Sequence, residues 1–381
     1  MPKISKQNFA IISLFAFLII LLGVLAYFMG FIFSGKMRTV KLFDLIKNEK
    51  IIYKQETDKE DLLYQMDNKN KALLTEIPAG VDQLKMSPDG KYILFYIGGM
   101  SESHYYLFNI ATKSLKEINL AEKGQILSII WNNDGQSIYY LAGEYDKCCI
   151  SKLYLYSYNF ASDTRQLVND LKNIISNQQI TTSSLGKVLN DDIYIYSVIS
   201  EGKNLIIDKY NLEEKSGQKV ADFSAYENPS FNISNQVYWL DNYNVITSFF
   251  NNSSRWVCVV YNLQTNKTKE ITNCSTYTAF ESLAKNFSLA GDNKNMVYFD
   301  HPNLVNDKET NLNFYDFENN ELKVLDQFTY QVSVPVVTWL PDNSGVLYSY
   351  DQQTFVYDFN KNKIKKVLLP EGVELLNIYS F

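Results

Sequence analysis

Beyond residue 50, apolar residues come in short runs, alternating with polar ones or continuous, and polar turn formers break them at close intervals. Tyr92-Ile93-Leu94-Phe95 and Ser137-Ile138-Tyr139-Tyr140-Leu141 are examples. Such runs predict β-strands, and no stretch after residue 50 shows helical periodicity with caps. The run from Phe9 to Phe33 is different, 25 residues without a charge. At about 1.5 Å per residue it makes roughly 37 Å of helix, enough to cross a ~30 Å hydrocarbon core with some tilt. A cleavable signal peptide has a shorter apolar region and a small-residue cleavage site, and neither is present here. The expectation is an uncleaved transmembrane helix over 9–33. Residues 1–8 would be a short cytoplasmic tail and 34–44 a linker. Ala26 and Gly30 form a small-xxx-small pair, which ordinary small residues in a lone anchor explain as well as helix association does.

The strand breaks repeat. An aromatic residue, then Asp or Asn, then an apolar residue recurs as Phe108-Asn109-Ile110, Tyr158-Asn159-Phe160, Tyr210-Asn211-Leu212, Tyr261-Asn262-Leu263, Tyr315-Asp316-Phe317 and Tyr357-Asp358-Phe359. Met66-Asp67-Asn68 is a degenerate copy. A second turn precedes each, as in Ser87-Pro88-Asp89-Gly90-Lys91 and Asn133-Asp134-Gly135-Gln136. Asp-Gly and related pairs supply the positive φ needed where strands reverse. Each unit of about 40–50 residues thus holds four strands, the pattern of a propeller blade. Six complete units are expected at 81–118, 125–168, 180–220, 231–272, 286–325 and 331–368. Three strands from 50–75 would form a first blade with the terminal segment Val373–Tyr379 as its innermost strand. The fold class is therefore all-β, a seven-bladed β-propeller over 45–381 with its first blade closed by 373–380, six or eight blades being the alternatives.

SPDGKYILF at 87–95, WNNDGQSIYYL at 131–141 and WLPDNSGVLYSYD at 339–351 resemble the WD40-like repeats of TolB-type propellers. Prolyl-oligopeptidase-like enzymes have similar repeats. The resemblance covers roughly 45–381 and implies the fold and an extracytoplasmic binding platform. It carries over no partner-binding residue.

Composition narrows the function. Aromatic residues reach 14%, a bias that favours pleated surfaces. Residues 1–41 carry five basic side chains and no acid, so the rest holds 31 basic against 42 acidic residues, a net of −11. A body so acidic does not suit nucleic acid, which needs Lys/Arg clusters. There are two histidines, His104 and His301. With them go neither a Gly-x-Ser-x-Gly elbow nor a phosphate-binding glycine motif. Gly98-Gly99-Met100-Ser101 with His104 is the nearest approach to a nucleophile patch, and its place between two strands reads as a polar loop. No catalytic residue, metal ligand or cofactor is assigned, and the expectation is no enzyme.

Cys258 and Cys274 flank a turn centred near 265–266 and should fall nearly opposite each other, a candidate disulfide. Cys148 and Cys149 are adjacent in a loop and too few for a metal site. The glycosylation triplets at Asn232, Asn251, Asn252, Asn266, Asn273 and Asn286 are expected by chance in so Asn-rich a chain. The functional expectation is a single-pass, membrane-anchored extracytoplasmic propeller that binds or scaffolds protein partners in the membrane or cell envelope. The alternatives are a propeller enzyme with a channel metal, lactonase- or quinoprotein-like, and a structural subunit of a membrane complex.

Overall fold

The computed structural model describes residues 39–46, 49–57, 59–79, 81–97, 104–120, 123–147, 149–171, 180–199, 204–223, 226, 237–250, 256–272, 274, 287–300, 309–329, 335–374 and 378–380. Antiparallel strands dominate, arranged in six sheets. Five of them are built from four-strand meanders whose strands follow one another in the chain, and the sixth joins Ile51–Glu56, Glu60–Met66 and Lys71–Pro78 to the terminal strand Ile378–Ser380. The second sheet is typical, with Val81–Met86, Tyr92–Ile97, His104–Asn109 and Ser114–Ile118 side by side. The largest sheet joins two meanders, over 125–170 and 180–222, through one backbone pair, Ile150 with Ile180. Three more meanders span 238–272, 287–329 and 336–368. Meander bounds follow from turn chemistry, so they lie close to those expected from sequence.

Apolar side chains from both faces of each meander pack against its neighbours, because a four-stranded sheet cannot bury two faces alone. Leu94, Tyr105 and Leu107 meet Ile138, Tyr140 and Tyr154. Leu155 and Leu153 meet Ile193, Ile195 and Ile206. The last meander meets the first where Val336, Leu347 and Val356 pack on Ile51, Tyr53 and Met66. The arrangement is a closed β-propeller.

Closure uses both ends of the chain. Ile378–Ser380 pairs antiparallel with Ile51–Glu56, Ser380 opposite Ile52 and Ile378 opposite Tyr53. The strand is shorter than the expected 373–379, and Val373 instead packs, 6% exposed, into the cluster that joins last and first meanders. Residues 39–46 correct the expected linker. Thr39–Lys41 adds a parallel strand outside Lys363–Leu368, with Thr39 opposite Lys366 and Lys41 opposite Leu368. The short helix Leu42–Ile46 then buries Leu42 and Ile46 between the last and first meanders. Three residues of strand and five of helix fall below any window that reveals periodicity. No helix among the described residues is long and apolar enough to cross a membrane, and 9–33 lies outside them.

Candidate functional site

The repeat proves to be a self-contained turn. In every copy the Asp or Asn Oδ1 accepts from backbone amides two or three residues on, at 2.8–3.1 Å. This Asx geometry reverses the chain without help from another strand. The apolar residue that follows donates its amide to the preceding turn of the same meander, at 2.7–3.1 Å, as Ile110 does to Lys91 O and Phe317 to Lys294 O. Phe160 and Phe359 also lay their rings against Trp131 and Trp339, which end innermost strands.

The aromatic residue serves the turn as well. The hydroxyls of Tyr158, Tyr261, Tyr315 and Tyr357 each donate to the Asp or Asn five residues on, Asp163, Asn266, Asn320 and Asn362. Those four residues have φ of 51–59°, a left-handed conformation that Asn and Asp tolerate better than most. Sequence reasoning recognised the triplet and missed this fifth-residue partner, although Asp or Asn stands at that position in four copies. The polar residues of these turns therefore have structural work.

A second set of groups lies on the innermost strands. Lys85 Nζ donates to Ile129 O of the next meander at 2.9 Å, and Trp131 Nε1 donates back to Lys85 O at 3.3 Å. Lys85 remains exposed to solvent, yet the surrounding strands enclose its ammonium and desolvation lowers its pKa. Ser184 Oγ donates to Ser128 Oγ at 2.9 Å, and the Leu185 amide donates to the same Ser128 oxygen. Tyr238 lies nearby, its pKa pushed up to about 12 by burial and then by Tyr196. These axial groups are an amine and hydroxyls, suited to hydrogen-bonding a polar or anionic group and not to coordinating a hard cation.

Gly186 shows why one link in this ring differs. Trp339 Nε1 donates to Ser288 O across the neighbouring meander, as Trp131 does to Lys85 O. Trp239 ends its innermost strand likewise, but its Nε1 has no hydrogen-bond partner among the described residues. The strand opposite carries a β-bulge between Leu185 and Lys187, which shifts the expected carbonyl. A Cβ at Gly186 would lie 2.9 Å from Trp239 Nε1, so the bulge accepts only glycine without movement.

The candidate residues do not converge. Cys258 is fully buried on Trp256–Asn262, and it is disulfide-bonded to Cys274 with the Cα atoms 5.2 Å apart. The bond is not between opposed positions, however. The hairpin turns between Asn262 and Lys267, so Cys258 faces Ile271 in register, and Cys274 lies beyond the strand end at Thr272. The expected turn centre was about one residue too late. Reducing this bond should lower stability by roughly 3 kcal/mol, from the chain-entropy model for a loop of this length. Thermal melts of the Cys258→Ala/Cys274→Ala variant check this, and an unchanged melting temperature would count against the bond.

His104 Nδ1 lies 2.7 Å from Glu117 Oε1, both side chains more than half exposed, which makes it a surface pair. His301, Cys148 and 98–103 lie outside the described residues, as do all the glycosylation triplets' asparagines except Asn266. No group of three or more His, Cys, Asp or Glu able to hold a metal occurs among the described residues.

No family model matches the chain, and no curated protein matches it. Solved structures do. Oligogalacturonate lyase from Vibrio parahaemolyticus is 12% identical with a TM-score of 0.55, covering 83% of this chain and 85% of that one. The fold is a β-propeller. An uncharacterised protein from Listeria monocytogenes is 13% identical with a TM-score of 0.54, covering 88% of this chain and 98% of that one. TolB from Acinetobacter baumannii is also similar, at 12% identity and a TM-score of 0.45, the match covering 73% of this chain and 63% of TolB. At such identities the likeness concerns the fold alone.

Proposed function

We propose that this chain is a seven-bladed propeller, the largest sheet counting as two blades, anchored by one transmembrane helix over 9–33 and displayed outside the cytoplasm, where it binds or scaffolds protein partners. The observation that carries the binding reading is the asymmetry of the two propeller faces. Turns on one face are short and satisfied by their own side chains, as described above. Connections on the other face run to fifteen residues between Asp222 and Tyr238 and fourteen between Thr272 and Phe287, far more than a blade-to-blade step needs. Surplus loop length on a rigid scaffold is where binding surfaces are commonly built.

The anchor rests on the uncharged 25-residue run. Intact-mass measurement should find residues 1–33 retained, and alkaline carbonate should leave the protein in the membrane. A mature chain starting after residue 33, or release by carbonate, overturns the anchor. Affinity capture from detergent-solubilised membranes should return a stoichiometric protein partner, and replacing residues 227–236 by a short Gly-Ser linker, which leaves the buried Phe223 in place, should abolish its recovery.

Likeness to oligogalacturonate lyase, which has been solved in complex with manganese, supports a second reading as a metal-dependent propeller enzyme. Manganese titration followed by thermal melting separates the two. A saturable rise in melting temperature favours the enzyme, and none favours the binding module.

A further inference from the structure

Backbone register fixes where the Lys85 ammonium lies. Asn132 donates its amide to Ser137 O across the turn that ends Gln125–Trp131. Hydrogen-bonded and non-hydrogen-bonded pairs alternate back along the ladder from there, and Ile129, opposite Tyr140, falls in a non-hydrogen-bonded pair. The amide and carbonyl of such a residue point away from the partner strand. Gln125–Trp131 is innermost in its meander, so both Ile129 groups point at the propeller axis. Lys85 Nζ donates to Ile129 O at 2.9 Å, which places the ammonium in the axial channel. That position explains how a side chain enclosed by strands keeps its contact with solvent.

The ammonium has too few partners there. It carries three donors, and among the described residues Ile129 O is its one acceptor. No described carboxylate pairs with it, and desolvation alone acts on its pKa. Other enclosed lysines are better supplied. Lys187, on the innermost strand Ile180–Leu189, gives Nζ to Asp241 O at 3.3 Å and to Asn242 Oδ1 at 3.0 Å. Lys54 has the carboxylates of Asp61 and Glu56 as well as Val81 O. Along the described innermost strands the one acid is Asp82, in the bulge between Val81 and Gln83, three residues or about 10 Å of strand from Lys85. An enclosed charge without a counter-ion is costly until an outside group pairs with it.

We propose that the axial channel holds a carboxylate against Lys85 Nζ and the Ile129 amide. Both donors lie beside Ile129 O on one strand edge, so the two oxygens of a carboxylate can take one each. One ammonium and one amide match a single negative charge. A phosphate dianion needs more cations than this stretch of the axis offers, and the net charge of −11 over 42–381 repels it. The carboxylate of a small acid and that of a partner protein present the same chemistry. Ile129 stands two residues before the strand end at Trp131, so the site lies near the short-turn end of the channel, apart from the long connections. It does not rest on the anchor.

Amine acylation with N-hydroxysuccinimidyl acetate tests this on the full chain in detergent, at constant pH and ionic strength. Peptide mass spectrometry reads Lys85 and, as an internal control, the exposed Lys69. Sodium acetate should slow acylation of Lys85 several-fold, because a bound carboxylate keeps the amine protonated, and should leave Lys69 unchanged. Sodium chloride in its place should leave both unchanged. Lys85 reactivity that acetate does not alter, or that chloride lowers equally, overturns the carboxylate site. Extracts of the native cells then give the source. Protection of Lys85 that dialysis removes supports a free acid. Protection that survives dialysis and ends when the chain is purified supports a partner's carboxylate. Lys85 as reactive in the fresh extract as in the purified, acetate-free protein overturns a resident occupant.

Discussion

Removing residues 373–381 lowers the melting temperature of the propeller by on the order of 10 °C. The truncation deletes the strand Ile378–Ser380 from the inner edge of the first sheet, where it pairs with Ile52 and Tyr53. It also deletes Val373, which packs with Ile51 and Tyr53. Losing a buried valine costs about 1.5–3 kcal/mol, and each lost backbone hydrogen bond about 1 kcal/mol more. The total is near 4–5 kcal/mol, and in a domain of this size each kcal/mol moves the midpoint by about 2–4 °C. Circular dichroism melts of the full chain and the truncated chain in detergent decide it. Coincident melts would show that the ring holds without its terminal strand. The single substitution Val373→Ala should reproduce a smaller part of the loss with closure intact.

The second large effect concerns Asp208, which sequence reasoning passed over. It lies on Asn204–Asn211, 4% exposed, on the same side of the strand as Ile206 and Tyr210. Those two residues face the aliphatic cluster between the 125–170 and 180–222 meanders. Its Oδ2 has no hydrogen-bond partner among the described residues. Burial raises the carboxyl pKa to about 7, and Lys219 opposes this only in part. A carboxyl whose folded pKa is raised keeps its proton in the folded state while the unfolded chain has lost it. Stability therefore falls as pH rises from about 4 to about 7 and is level above that. Three pKa units correspond to roughly 4 kcal/mol. Asp208→Asn carries no charge to bury, so the variant should gain stability relative to the parent by up to that amount between pH 4 and pH 8. Denaturant titrations of both proteins at the two pH values measure the difference. The same stability difference at both would show that Asp208 is ionised without cost.

Asp208 also shows where sequence reading stops. It sits in a strand whose composition, Asn204 to Asn211, alternates no more cleanly than many exposed strands, and only the packing of two meanders buries it. Lys54 is a similar case. It reads as a polar strand residue, but it is 3% exposed, with Nζ 3.3 Å from Asp61 Oδ2 and donating to Val81 O of the next sheet at 3.2 Å.

What the sequence by itself determined is whatever depends on neighbours along the chain. Asx turns, left-handed residues, strand lengths and the rhythm of four strands per unit arise from interactions over two to seven residues. Turn residues such as Asn109, Asp316 and Gly135 announce them directly. The propeller fold followed, because sheets apolar on both faces have few ways to bury themselves. Contacts between units were decided only in the tertiary structure. The parallel strand at Thr39–Lys41, the register that places Cys274 beyond its hairpin, the bulge at Gly186 and the burial of Asp208 each depend on surfaces brought together from distant parts of the chain. A local pattern carries no record of the surface that will cover it, so these features become visible only once the ring has closed.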